Sequence, residues 1–376
     1  MALNLVFCGT YTDLSLQGEP DASRDTQDIA SLTGSDGFYI FEHDVESGTL
    51  RYIHTALGVV NPSFLALDRS ERFLFAVNEL REFDDEPTGA VSSFVLDRNT
   101  GVPHLVSQVP SGGTNPCHLS VSRCGRYLLV ANHGDATVAL VPIDEQGHLS
   151  PPVDLRRDEP TDPSGQRPPH AHFVSPDLGG KLVLSTDTGT DRIMMYRLDV
   201  EQGRLVPNDP GWGETHPGGS PRHLAFHPSG RYLYANGETD LTLSVFRYDA
   251  DRGTLHHLQH LLTVPDDIDR HGYSTAQIVV HPTGRFVYVS NRGHDSIAIF
   301  EVDEVTGTVT RIALERTRGQ TPRNFMIDPS GRFLYVANQD SNAVECFTID
   351  QDSGLLAHAD QAAHVPAPTC IVFTKN

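Results

Sequence analysis

Lysine is nearly absent from this chain. Lys181 and Lys375 are the only two among 28 basic residues, and the rest are arginine. Acidic residues number 49, so the formal net charge is −21. Such a surface repels a phosphate backbone and excludes non-specific nucleic-acid binding. Cysteine is scarce too. Cys8, Cys117, Cys124, Cys346 and Cys370 show neither paired nor metal-type spacing, which argues against a disulfide framework or a zinc cluster and for buried free thiols. Tryptophan occurs once, at Trp212, so a partner-binding surface built on exposed aromatic residues has little support. No run approaches the ~20 apolar residues that a membrane helix needs. The opening MALNLVFCGTYTD has no basic segment ahead of a long apolar stretch, unlike a signal peptide. The expected compartment is the cytoplasm, and neither membrane nor nucleic acid is an expected partner. Oligomeric state is left open.

What is present is a repeated hairpin. Ser220 to Glu238 reads SPRHLAFHPSGRYLYANGE. Two short apolar-rich runs flank a His-Pro-Ser-Gly turn. NPSFLALDRSERFLFAVNE begins at Asn61, NPCHLSVSRCGRYLLVANH at Asn115, STAQIVVHPTGRFVYVSNR at Ser274 and TPRNFMIDPSGRFLYVANQ at Thr321. A weaker copy, PPHAHFVSPDLGGKLVLSTDT, starts at Pro168 and reads as carrying an extra turn residue. Anchors at Pro62, Pro116, Pro169, Pro221, Thr275, Pro322 and Pro368 are 46 to 54 residues apart. A period of about 40–50 residues with several strands per unit is the pattern of a β-propeller.

Each hairpin is followed by a third strand, for example Gly37–His43 and Ser296–Val302, that ends in an aspartate. The seven are Asp44, Asp97, Asp144, Asp199, Asp249, Asp303 and Asp350, each with a glycine three or four residues on. This is turn chemistry, so these acids read as structural. Fourth strands such as Leu50–Thr55 and Leu255–Leu262 are polar and irregular, as suits an outer edge. The chain opens on a second-strand pattern, Asn4–Thr10, and closes on a first-strand pattern, Thr369–Thr374. The expectation is an all-β, seven-bladed propeller of four-stranded blades, one domain over residues 1–376, with the two chain ends sharing one blade. Long polar connections at Asp13–Asp36, Arg156–Pro168, Asn208–Gly219 and Pro265–Tyr273 are candidate mouth loops, or tolerated insertions.

Equivalent positions in a propeller form rings around its axis. The residue after the anchor reads Ser63, Cys117, His170, Arg222, Ala276, Arg323, Thr369, and the residue ending the second strand reads Thr10, Glu79, His133, Thr188, Glu238, Arg292, Gln339. These two rings are heterogeneous and charged. They gather His170, Arg222, Glu238, Arg292 and Arg323 on the third to sixth repeats. The ring just before the strand end, Gly9, Asn78, Asn132, Asp187, Gly237, Asn291, Asn338, is nearly uniform and reads as structural, although its oxygens could also surround a cation. His223, His227 and His281 recur in strand or turn positions and read as packing residues.

Taken together, CGTYT at 8–12, GSPRHLAFHPSGRYLY at 219–234, NRGHDSI at 291–297 and TPRNFMIDPSGRFLYVANQDSN at 321–342 resemble the seven-bladed-propeller lactonases. That family includes bacterial propeller-type 6-phosphogluconolactonases and 3-carboxy-cis,cis-muconate lactonising enzymes. The resemblance spans essentially the whole chain. It implies a catalytic set of His170, Arg222, Glu238 and Arg292; Arg323 and His133, from the two charged rings, are the expected substrate contacts, and neither metal nor cofactor is expected. His172 lies two residues beyond His170 on the same strand and competes for its role. Gln277 stands where relatives often carry an acid.

The chemistry suits those residues. Guanidinium groups recognise carboxylate or phosphate through paired hydrogen bonds. Ester hydrolysis needs a base for water, stabilisation of an oxyanion and a proton for the leaving alkoxide. Glu238 or His170 can move protons, while Arg222 and Arg292 hold anions. The expected activity is hydrolysis of a small anionic sugar lactone such as 6-phosphogluconolactone. The alternatives are carboxymuconate cycloisomerisation, a non-catalytic scaffold, and purely structural roles, such as an Arg222–Glu238 pair that only locks a hairpin end.

Overall fold

The computed structural model of the protein describes residues 3–13, 34–160 and 167–375. Most of the connection Asp13–Asp36 and the centre of Arg156–Pro168 therefore lie outside the described residues. Strands are the regular elements found among the rest, and they form seven four-stranded antiparallel sheets. Each sheet is one propeller blade. Blades 1 to 7 start, at the axis, with Pro368–Phe373, Leu65–Leu67, Pro116–Val121, Ala171–Pro176, Pro221–Phe226, Ser274–Val280 and Pro322–Ile327. These inner strands touch their neighbours around the axis.

Blade 1 closes the ring. The C-terminal strand Pro368–Phe373 pairs with Leu5–Thr10, in the register Val6 opposite Phe373 and Cys8 opposite Ile371. The Leu5 amide donates to the Thr374 hydroxyl at 2.8 Å, and the Thr374 amide donates to the Leu5 carbonyl at 2.9 Å. The split blade expected from the sequence is thus present, and it leaves no open edge at the seam.

The core lies between blades rather than within one. Tyr234 and Val245 of blade 5 pack on Val287, Val289 and Phe300 of blade 6, and six similar clusters fill the other junctions. A buried tyrosine needs a partner for its hydroxyl. Tyr234 donates to the Gly307 carbonyl at 3.1 Å and Tyr288 to the Gly354 carbonyl at 2.9 Å, so each reaches a turn of the next blade. Gly307 has φ +74°, and a Cβ there would stand 2.2 Å from the Tyr232 ring, so the turn needs glycine on both counts. Asp303 Oδ1 accepts the amides of Val305 and Thr306, which is the turn role expected of the seven aspartates. His227 and His281 are also structural. Their Nε2 atoms face the Gly284 and Gly331 carbonyls of the following blades at 3.1 and 2.9 Å.

Four of the five cysteines are buried, and all five are free. One boundary differs from expectation. The fourth strand of blade 4 runs Arg204–Glu214, so Trp212 belongs to a strand and only a short connection precedes blade 5. The Arg192 guanidinium lies 4.1 Å from the centre of its ring, and the ladder continues past the cis Asp209–Pro210 bond, with Met194 opposite Trp212. Among the described residues no helix is long and apolar enough to cross a membrane.

Candidate active site

The first two strands of every blade are antiparallel, so the start of one and the end of the other meet at the same end of the blade. In blade 5 this brings Arg222 to Glu238, with Nε 3.4 Å from Oε1. In blade 6 the second strand, Phe286–Arg292, ends on Arg292, whose Nη2 donates to the same Glu238 oxygen and to the Thr275 carbonyl at 3.0 Å. Glu238 is therefore clasped by two guanidinium groups from adjacent blades. Burial raises the pKa of its carboxyl, but Arg292 and then Arg222 outweigh this and hold it down at about 2. Arg222 itself is 3 % exposed and donates to the Ala276 carbonyl at 2.6 Å. Burial pulls its pKa to about 9 against the pull of Glu238, with Arg292 and Arg323 adding to the burial effect.

The axial cavity beneath is lined by Ser63, Glu79, Cys117, His172, Arg222 and Arg323, among others. It contains a second acid–base group that the sequence reading left out. Glu79 is buried, accepts the Tyr11 hydroxyl at 3.0 Å and also accepts the Ser63 hydroxyl. Arg323 donates to the Tyr11 oxygen at 2.6 Å and lies over the Tyr11 ring. Burial pushes the Glu79 carboxyl above its ordinary pKa, although Arg323 and the two hydroxyls oppose the shift. Tyr11 sits in the CGTYT segment, so the signal was present, but nothing in the sequence placed that segment beside Glu79 or Arg323.

The histidines are arranged differently from the expected ring. Ala171, not Pro169, pairs with Asp187, as Pro116 pairs with Asn132 and Pro221 with Gly237. The anchor and its partner are sixteen residues apart in all three blades, so the blade 4 hairpin carries no extra turn residue. The ring position after the anchor thus belongs to His172, and His170 sits where Ser220 and Asn115 sit in their blades. The Thr188 amide donates to the His170 carbonyl, as the Glu238 amide does to Ser220 and the His133 amide to Asn115.

The His170 ring stacks on His133 with centroids 4.5 Å apart, and its Nδ1 lies 2.9 Å from the His133 carbonyl. His172 is buried between His133 and His223. Its Nδ1 has no hydrogen-bond partner among the described residues. Burial and then Arg222 push its pKa well down, so it is neutral at pH 7. The pKa of His133 is lowered to about 4 by burial and by His170. Gln277 Oε1 meets His223 Nδ1 at 2.6 Å, which gives the amide a local partner inside the channel.

Several oxygens of the nearly uniform polar ring hold hairpin ends. Asn78 Oδ1 accepts from Ser92 and Gln108, Asn291 Oδ1 accepts from Thr263, and Asp187 Oδ1 accepts three backbone amides. Asn132 Oδ1, Asp187 Oδ2 and Asn338 Oδ1 have no hydrogen-bond partner among the described residues.

A family model described as lactonase, 7-bladed β-propeller, matches residues 6–373. A 6-phosphogluconolactonase of Bacillus subtilis (strain 168) is 31 % identical over 341 residues, which is 90 % of this chain and 95 % of that protein. A 6-phosphogluconolactonase of Formosa agariphila is 31 % identical over 299 residues, covering 77 % of this chain and 81 % of that protein. The solved structure of a periplasmic gluconolactonase of Pseudomonas aeruginosa matches with a TM-score of 0.87 at 29 % identity, covering 99 % of each chain.

Proposed function

Because the chain belongs to the seven-bladed β-propeller lactonase family, we propose that it hydrolyses the ring ester of a small anionic sugar lactone, 6-phosphogluconolactone being the first candidate. The observation that carries this reading is Glu238 held between Arg222 and Arg292, with Arg222 also lining the axial cavity. The relatives' names supply the substrate class.

In the proposed reaction the substrate's phosphate or carboxylate takes up guanidinium hydrogen bonds. Sharing the arginines loosens their hold on Glu238 and makes its carboxylate more basic. Glu238 then accepts a proton from the attacking water. The new C–O bond converts the carbonyl to an oxyanion, which a guanidinium stabilises. Collapse breaks the ring C–O bond, and the departing alkoxide takes the proton back. His170, His172 and His133 line the approach and orient the lactone, and Arg323 supplies a further anion contact. The electrophiles are guanidinium groups, so the proposed chemistry needs neither metal nor cofactor. The whole chain acts as one domain in this reading. The −21 charge argues against nucleic-acid partners, and the unpaired cysteines suit the cytoplasm.

Turnover of a panel in the presence of a chelator tests this. Phosphorylated and unphosphorylated sugar lactones and a carboxymuconate are compared with wild-type protein. Preference for a phosphorylated lactone supports the reading. Turnover of the carboxymuconate alone replaces hydrolysis by cyclisation, and loss of all activity with chelator overturns the metal-free chemistry.

A further inference from the structure

Propeller repeats act as controls for one another, and of the two blades that carry an aspartate two residues past the second-strand ring position, one departs from the other outside the channel. In blade 3, Asp135 follows the second strand. Its Oδ1 accepts the Thr137 hydroxyl at 3.0 Å, and its Oδ2 is paired with Arg157 at 3.1 Å. Asp240 holds the equivalent place in blade 5, and its Oδ1 likewise accepts the Thr242 hydroxyl, at 2.6 Å. Here no arginine takes the second oxygen. Asp240 Oδ2 is buried and has no hydrogen-bond partner among the described residues. Two imidazole nitrogens face it instead: His216 Nδ1 at 3.3 Å and His260 Nε2 at 3.8 Å.

Each of the three residues has a reason to be where it is. His216 comes from the short connection between blades 4 and 5, and His260 from the outer strand Thr254–Leu262 of blade 5. The two rings stack with centroids 4.0 Å apart and planes 15° apart, which turns one nitrogen of each toward the carboxylate. His260 Nδ1 lies 3.2 Å from the Ser244 hydroxyl, and this contact fixes the ring and leaves Nε2 free. Glycines make room for the carboxylate. A Cβ on Gly237 would stand 2.1 Å from Asp240 Oδ1, and one on Gly219 would stand 3.1 Å from Oδ2.

We propose that His216, Asp240 and His260 form a binding site for one divalent transition-metal ion, zinc by preference. The three donor atoms lie within 4.8 Å of one another. Bonds of about 2.0–2.1 Å at tetrahedral angles place donor atoms about 3.3 Å apart, which the His216–Asp240 separation already matches, and binding turns the stacked His260 ring and draws it in to complete three corners. Two imidazoles and one carboxylate select zinc, nickel, cobalt or copper over magnesium and calcium, which prefer oxygen. The fourth corner is left to water or an added ligand. The ion does for Asp240 what Arg157 does for Asp135, and it clips the connection ahead of Arg222 to the blade. This site stands apart from the channel chemistry and does not depend on it.

The test uses the untagged full-length chain, stripped of metal and titrated with zinc by calorimetry, with cobalt(II) absorption as a second readout. The expected result is one ion per chain and a visible cobalt band of a low-coordinate site. His216→Ala should weaken binding at least about tenfold, and its half-exposed side chain makes misfolding an unlikely confounder. Asp240→Asn and His260→Gln should do the same, while His257→Ala should leave affinity unchanged. Absence of saturable binding at submillimolar zinc overturns the site. Equal affinity in wild type and His216→Ala overturns it too, as does a loss in His257→Ala as large as that in His216→Ala.

Discussion

Arg292 and Glu238 are 54 residues apart and on neighbouring blades, yet their side chains meet in an ion pair that Arg222 completes from the other side. The contact joins blade 5 to blade 6 at the mouth. It also sets the charge state of the one carboxylate that both guanidiniums share. A folded pKa below the ordinary 4.5 means that this pairing stabilises the fold fully above that value. The stabilisation is lost as pH falls toward about 2. Glu238→Gln should therefore narrow the acid-side loss of stability, as measured by denaturation midpoints across that range.

Arg222→Lys keeps the charge but loses the planar fork and the bond to the Ala276 carbonyl. We expect kcat/KM on the best lactone to fall at least about tenfold, the scale of one charged hydrogen bond. Both KM and kcat should contribute. An unchanged kcat with a raised KM alone would restrict Arg222 to ground-state binding.

Histidine roles separate by position. His172 occupies the ring place beside Arg222 with an unpartnered Nδ1, whereas His170 is stacked on His133 and held by a backbone carbonyl. His172→Asn should cost about tenfold or more in kcat and His170→Asn clearly less. Steady-state kinetics on the same lactone decide, and the reverse order would return the role to His170.

Asp158 should make stability fall toward neutral pH. It is buried, accepts the Tyr196 hydroxyl at 3.1 Å, and its carboxyl is pushed up to about 7 by burial and by the charge of Asp187. A folded pKa above the ordinary 3.8 means a contribution fully present below 3.8 and lost as pH rises through about 7. Wild-type unfolding free energy should drop across that window by an amount on the order of 4 kcal/mol. Asp158→Asn should flatten the profile, as read by chemical denaturation at several pH values.

Deleting the last eight residues removes most of the inner strand of blade 1 and the Leu5–Thr374 bonds. The truncated chain should lose cooperative unfolding and near-ultraviolet circular dichroism. Retention of both would mean that the ring does not need its seam.

The features legible in the sequence are those that recur within each blade. The Asp–Gly turns and the anchors 46 to 54 residues apart recur from blade to blade, and the split terminal blade follows because the repeat starts and stops in mid-unit, so they read directly. Arg222 and Glu238 were legible because one hairpin carries both. Tyr11 with Glu79 and Arg323 was not, because that contact joins three consecutive blades across the seam through a tyrosine that recurs at its position in no other blade. The blade 4 register slipped for a specific reason. Pro168–Pro169 imitates the anchor, while the true anchor there is Ala171, and only the pairing with Asp187 reveals it. The second half of strand Arg204–Glu214 reads as part of the connection Asn208–Gly219 because outer strands are polar and Pro210, Gly211 and Gly213 mimic a turn.

The central claim is that Glu238 transfers the proton. The most direct test is the kcat of Glu238→Gln on the lactone that wild type turns over best, with folding checked by circular dichroism. Glutamine keeps the shape and accepts the arginine hydrogen bonds but cannot take a proton. The account predicts a fall of about 10²–10⁴ in kcat with little change in KM. Near-wild-type turnover by Glu238→Gln would contradict it.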